Sequence, residues 1–236
     1  GLAPLRYQWI FEQDTLWDDL VGAWSLDEPS GIRYDCFGSK DLTEIGTVGS
    51  TSGAYGLASD HTIGYLTNPL SLLLTADFTV SFWFKVPANP SGNLGLFQIP
   101  GQLNIGLLAH KLYAEVNAWT GADVAVWPAG ALDDGVWHHA VVWVDTAVDP
   151  KIHSCVDGGA TTDSPLDLSG TIAPLALPFY VGAPDVDPGT PTGLYMQRVA
   201  RLDAALTPPQ RAALYTGQLY GSGVASPVYA YPTPGP

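Results

Sequence analysis

His138 and His139 are the residues whose type and spacing most directly suggest metal or proton chemistry in this chain. They lie in Asp134-Gly135-Val136-Trp137-His138-His139-Ala140-Val141-Val142-Trp143-Val144, which alternates large apolar with smaller or polar residues as a strand does. Neighbouring strand residues point to opposite faces, so the two imidazoles are expected to serve the strand and not one ion. His61, His110 and His153 are scattered without ligand spacing. No Gly-x-Ser-x-Gly elbow and no phosphate-binding P-loop occurs. Aromatic rings remain. Tyr113, Trp119 and Trp127 fall near less regular segments, where an exposed ring can stack on a sugar face. Tyr7, Trp9, Phe11 and Trp17 near the start, and Tyr229 and Tyr231 near the end, read as anchors to a neighbouring subunit.

Composition narrows the class. Charged residues make up 14 % of 236, against a usual share of about a quarter, while hydrophobic residues make up 46 %. Such a surface is either neutral or partly covered by other chains. The formal net charge of −14 excludes nucleic acid and anionic membranes as natural partners. Asp outnumbers Glu by 19 to 4, as suits a turn-rich β protein. No transmembrane run is present. Cys36 and Cys155 are open to two readings, a disulfide or two buried thiols.

The elements that must position these groups are mostly strands. Asp77-Phe78-Thr79-Val80-Ser81-Phe82-Trp83-Phe84-Lys85-Val86 is a second alternating block. Further strands are expected at 20–26, near 94–99, 103–109, 111–118 and 123–127, at 151–157, at 179–182 and at 193–202. Residues 27–64 read as turn-rich. Thr207-Pro208-Pro209-Gln210 through Gly217 carries an N-cap, prolines in the first turn and a glycine stop, which predicts one helix. The resulting class is all-β: an antiparallel β-sandwich with a short C-terminal helix and two extended arms. The expected organisation is an arm at 1–19, a sandwich domain at 20–217 and a Pro/Tyr-rich tail at 218–236.

Five segments in order resemble the laminin-G-like, concanavalin-A-like jelly-roll family. They are Leu20–Gly31, Asp77–Val86, Asp134–Val144, Ile152–Gly158 and Arg198–Thr207 with the helix after it. The resemblance implies a jelly roll and a choice among lectin, adhesion, glucanase and coat-protein roles. Glucanases on this fold carry Glu-x-Asp-x-x-Glu on one strand. Here Glu12-Gln13-Asp14 begins that pattern but Trp17 holds its third acidic position, so no enzyme is expected. Gln197 and Arg198 replace the family's acidic pair before the closing Val. The opening motif keeps its acids, which makes Asp27, Asp35 and Asp41 the candidate Ca²⁺ ligands; no other cofactor is expected. Residues 20–60 also resemble modules of phage-type structural proteins. The expected role is a non-enzymatic structural or surface-display protein in a homo-oligomer or larger assembly, on a virion or cell surface. Surface glycans are expected as partners, and a stand-alone lectin-like module is the alternative.

Overall fold

A computed structural model of the chain describes residues 19–72, 77–87, 94–116, 123–126, 130–164, 167–168, 177–183 and 193–216. β1 (Leu20–Trp24), β2 (Thr43–Gly53) and β3 (Gly56–Leu72) come first. β4 (Phe78–Lys85), β5 (Leu94–Ile99), β6 (Leu103–Leu108), β7 (Lys111–Val116) and β8 (Asp123–Val126) follow. The remainder is β9 (Trp137–Asp145), β10 (Asp149–Val156), β11 (Thr162–Asp163), β12 (Leu177–Val181), β13 (Tyr195–Leu202) and α1 (Pro208–Thr216).

Antiparallel pairing runs β11-β10-β9-β4-β13-β3-β12-β5-β6-β7-β8, with β1 on β13 and β2 on β3. β3 is the hinge of this order. Its first part pairs with β13 at Ser59 and Asp60, and its second with β12 from Leu66 to Leu72. A strand this long carries the sheet from one layer into the other, and the sheet closes over itself. Trp24 on β1 and Phe179 on β12, remote along the sheet, meet with ring centres 5.2 Å apart. Between the layers lie Phe78, Phe82, Phe84, Phe97, Leu103 and Ile105, all fully buried or nearly so. The chain is therefore the all-β sandwich expected from its alternation, with the jelly-roll architecture that the resemblance implies.

The other phase of β4 and β9 has its own cover. Val141, Trp143, Cys155, Ala200 and Leu202 form a second apolar cluster beneath Leu206 and Leu214 of the α1 region. Half of a capping box starts α1: the Thr207 main-chain N–H donates to Gln210 Oε1 at 2.8 Å. Arg211 N–H donates to the Thr207 carbonyl at 3.0 Å and closes the first helical turn. Among the described residues no helix is long and apolar enough to cross a membrane. Cys36 and Cys155 are free thiols, which settles the cysteine question against a disulfide.

Residues 27–64 depart from expectation. Most of them form the β2–β3 ribbon, paired from Thr43↔Thr67 to Gly53↔Gly56. Glycine and serine hide this ribbon in the sequence, because they weaken the strand signal that threonine supplies. Gly56, at φ +93°, permits the tight reversal at its tip. Gln197 then clamps that tip: its amide donates to the Tyr55 and Leu57 carbonyls at 2.7 and 2.6 Å and accepts from Tyr55 N–H at 3.1 Å.

Candidate functional site

A row of polar side chains crosses the outer face of the layer made by β3, β12, β5, β6 and β7. Strand register places it. Asn104 faces Glu115 on β7 and Gln98 on β5. Gln98 faces Tyr180, and Tyr180 faces Thr67. Tyr65, two residues from Thr67 and so on the same face, meets Tyr180 edge-on at 5.7 Å. Gln98, Asn104, Glu115, Tyr180, Tyr65 and Thr67 are all half-buried. Leu103, Ile105 and Leu107, in the opposite phase of β6, fill the core. The same alternation that builds the core therefore sets this row outward.

Hydrogen bonds order the row. Gln98 Nε2 donates to Asn104 Oδ1 at 2.9 Å, and Asn104 Nδ2 donates to the Tyr113 hydroxyl at 2.7 Å. Each amide is thus held in one orientation. Gly95 and Gly106, paired across β5 and β6, make room for the Gln98 amide and the Tyr113 ring to lie down on the sheet. A Cβ on Gly106 would lie 2.8 Å from Tyr113 Cε1 and 2.1 Å from the Leu94 carbonyl oxygen. The Tyr113 ring therefore lies down against Gly106. Planar amides fixed beside tyrosines on an open sheet suit hydroxyl-rich ligands, since amides offer donor and acceptor together and rings offer an apolar face.

Tyr113 differs from its expected role as an exposed stacking ring. It is only 4 % exposed, and its hydroxyl instead orients Asn104. Trp119 and Trp127 lie outside the described residues, in the segments on either side of β8. Tyr7, Trp9, Phe11, Trp17, Tyr229 and Tyr231 lie outside them as well. Gln98, Asn104, Glu115, Tyr65 and Tyr180 were not singled out from sequence. Their only signal there is the polar phase of short strands, and adjacency across five strands is not written in it.

The acidic loop is a correction. Asp35 is 1 % exposed and its carboxylate is filled by amides: Ala23 N–H and Phe37 N–H on Oδ1 at 3.1 and 3.0 Å, Lys40 N–H on Oδ2 at 3.1 Å. Asp41 Oδ1 accepts from Asp35 N–H at 2.9 Å. These carboxylates fold the loop, and Asp27, Asp35 and Asp41 do not converge as a ligand set among the described residues. Glu28 is also structural there, accepting from Tyr34 N–H at 2.8 Å; burial raises its carboxyl above the ordinary range.

His138 and His139 point to opposite faces, as strand geometry requires. His139 Nε2 meets Ser81 Oγ at 2.9 Å beneath Trp83 and Tyr215, and burial pushes its pKa down to about 3. His138 lies against Phe84, with Nδ1 2.7 Å from Asp157 Oδ2 and Nε2 3.2 Å from Asp134 Oδ1. The Asp157 hydrogen bond raises its pKa.

The comparisons agree with this architecture. The family model of the Concanavalin A-like lectin/glucanases superfamily matches residues 60–210. The chain belongs to that superfamily. No curated protein sequence matches it. Among solved structures, it is similar to the binding domain of Paraclostridial Mosquitocidal Protein 1, at 14 % identity and a TM-score of 0.67, covering 87 % of this chain and 56 % of that one. It is similar to a botulinum neurotoxin type C structure, whose cell entry depends on two ganglioside molecules, at 10 % identity and a TM-score of 0.66, covering 87 % and 52 %. It is also similar to domain 4 of AbnA, a GH43 extracellular arabinanase from Geobacillus stearothermophilus in complex with arabinotriose, at 19 % identity and a TM-score of 0.60, covering 84 % and 98 %. The chain spans about half the length of the first two. At these identities the likeness is one of fold.

Proposed function

We propose that this chain is a non-catalytic, extracellular or surface-located glycan-binding module that takes sugar along the outer row of the β3–β12–β5–β6–β7 layer. The observation that carries this reading is the relay from Gln98 through Asn104 to Tyr113 over a glycine floor. Trp119 and Trp127, on either side of β8, are proposed to add stacking rings. The row contains one carboxylate, Glu115, whereas glycoside hydrolysis ordinarily uses a pair, and this supports binding without turnover. Relatives of similar fold crystallised with or dependent on glycans, the arabinanase domain with arabinotriose and the neurotoxin with gangliosides, support the ligand class. A glycan array with the whole chain, followed by calorimetry on the best ligand, tests the reading. Asn104→Ala and Gln98→Ala should each weaken binding by roughly tenfold while the melting temperature stays close to that of the parent. An array silent across broad glycan classes would end it.

A second reading concerns assembly. Ile32, Tyr34 and Ile63 are exposed at 46, 57 and 63 %, on a chain with few charges. We propose that the module, 20–217, is packed in a homo-oligomer or larger assembly, such as a virion decoration, a tail component or a cell-surface layer. Tyr7, Trp9, Phe11, Trp17, Tyr229 and Tyr231 would then anchor neighbours. Light scattering after size exclusion should show an oligomer for the whole chain and a monomer for residues 20–217. A monomeric whole chain at high concentration contradicts it.

A further inference from the structure

His153 showed no ligand spacing in the sequence, but strand pairing gives it neighbours. It faces Asp163 across β10–β11 and Trp143 across β9–β10. Its side chain is 7 % exposed, and its ring stacks on Trp143 at 5.2 Å with 16° between planes. The ring is therefore fixed, and both its edges are occupied. Nδ1 lies 2.8 Å from Asp163 Oδ1, and Nε2 lies 3.1 Å from the Asp149 main-chain oxygen.

Both of those oxygens are acceptors. A metal bound at either edge would take the place of one of these hydrogen bonds, with the neighbouring carboxylates as its further ligands. A ligand atom of each of Asp149, His153 and Asp163 lies within 4.8 Å of the other two. We propose that Asp149, His153 and Asp163 form a binding site for a first-row divalent transition metal, represented by zinc. An imidazole among carboxylates suits such an ion, whereas Ca²⁺ and Mg²⁺ prefer oxygen alone. Three protein ligands leave room for water, as in open zinc sites.

Zinc bonds of about 2.0–2.2 Å require the direct contact between Asp163 and His153 Nδ1 to open and Asp149 to draw in. The two carboxylates can supply that movement, being 39 and 47 % exposed, while His153 stays fixed. Lys151 is the competitor: its Nζ lies 3.4 Å from Asp149 Oδ1 and 3.8 Å from Asp167 Oδ1. Metal entry passes the ammonium to Asp167. The site lies on the β9–β10–β11 side of the sheet and does not depend on the glycan reading.

The test is calorimetric titration of the metal-stripped whole chain with ZnCl₂, with ¹⁵N-imidazole spectra of His153. One zinc per chain is expected, with binding weakened roughly tenfold or more by Asp149→Asn and by Asp163→Asn. Lys151→Met should tighten it. These carboxylates are part-exposed, so the variants should keep the parent's circular dichroism and melting temperature. Absence of zinc binding overturns the proposal. So does binding indifferent to both carboxylate variants, or a His153 ring carrying protons on both nitrogens whose resonances zinc does not move.

Discussion

Gln197 shows what one atom type can decide. The family resemblance leads one to expect an acid near this position, yet the structure needs two N–H donors for the Tyr55 and Leu57 carbonyls and one acceptor for Tyr55 N–H. Only an amide side chain provides both. Gln197→Glu would set a carboxylate against two carbonyl oxygens at a position 1 % exposed. It should cost about 3 kcal/mol, read as a lower urea midpoint; an unchanged midpoint would contradict the clamp. Gly106 makes a similar point by its missing side chain. Gly106→Ala places a methyl 2.1 Å from the Leu94 oxygen and must part β5 from β6 or lift the Tyr113 ring. Lost stability together with lost glycan binding is expected, measured by melting and calorimetry. Neither role was legible in sequence, because each partner lies on another strand.

At the scale of elements, legibility followed the strength of the local signal. α1 was readable from Thr207, the prolines and the glycine stop, because capping chemistry is local. The β4 and β9 blocks were readable because Phe, Trp and Val, all strong strand formers, are concentrated in them. β2 was not, since its Thr, Ser and Gly residues become a strand only by pairing with β3. α1 matters to the sheet through Leu214, which is 1 % exposed over the Trp143 cluster. Leu214→Ala should destabilise by about 2–4 kcal/mol. The accompanying change in tryptophan fluorescence would report the loosening of the helix from Trp83 and Trp143. A variant as stable as the parent would mean that the helix is not needed to cover that face.

At the scale of the molecule, burial sets how the fold responds to acid. His61 and His139 are both pushed down to about 3 by burial, with Arg33 adding to the effect on His61. In the unfolded chain they titrate near 6.5, so below that pH the unfolded state binds protons that the folded state refuses. Stability therefore falls as pH drops from about 6.5 toward 3. His138 has the opposite sign: its raised pKa contributes stability below 6.5 that is lost as pH rises through its folded value. Between pH 6 and 5, His138 is protonated in both states and the two buried histidines dominate. A loss of about 2–3 kcal/mol over that interval is expected from urea unfolding at each pH. A flat or rising profile would count against neutral burial of both.

The sequence by itself determined the class of fold, the helix and the opposed faces of His138 and His139, because period, caps and strand geometry are properties of neighbouring residues. The outer row of Gln98, Asn104 and Tyr113 was decided only by tertiary structure, as were the conversion of Asp35 from candidate ligand to loop scaffold and the meeting of Asp149, His153 and Asp163. Each depends on which strands lie side by side and in what register. That is fixed by the closing of one long sheet around a shared core, and no local stretch of residues records it.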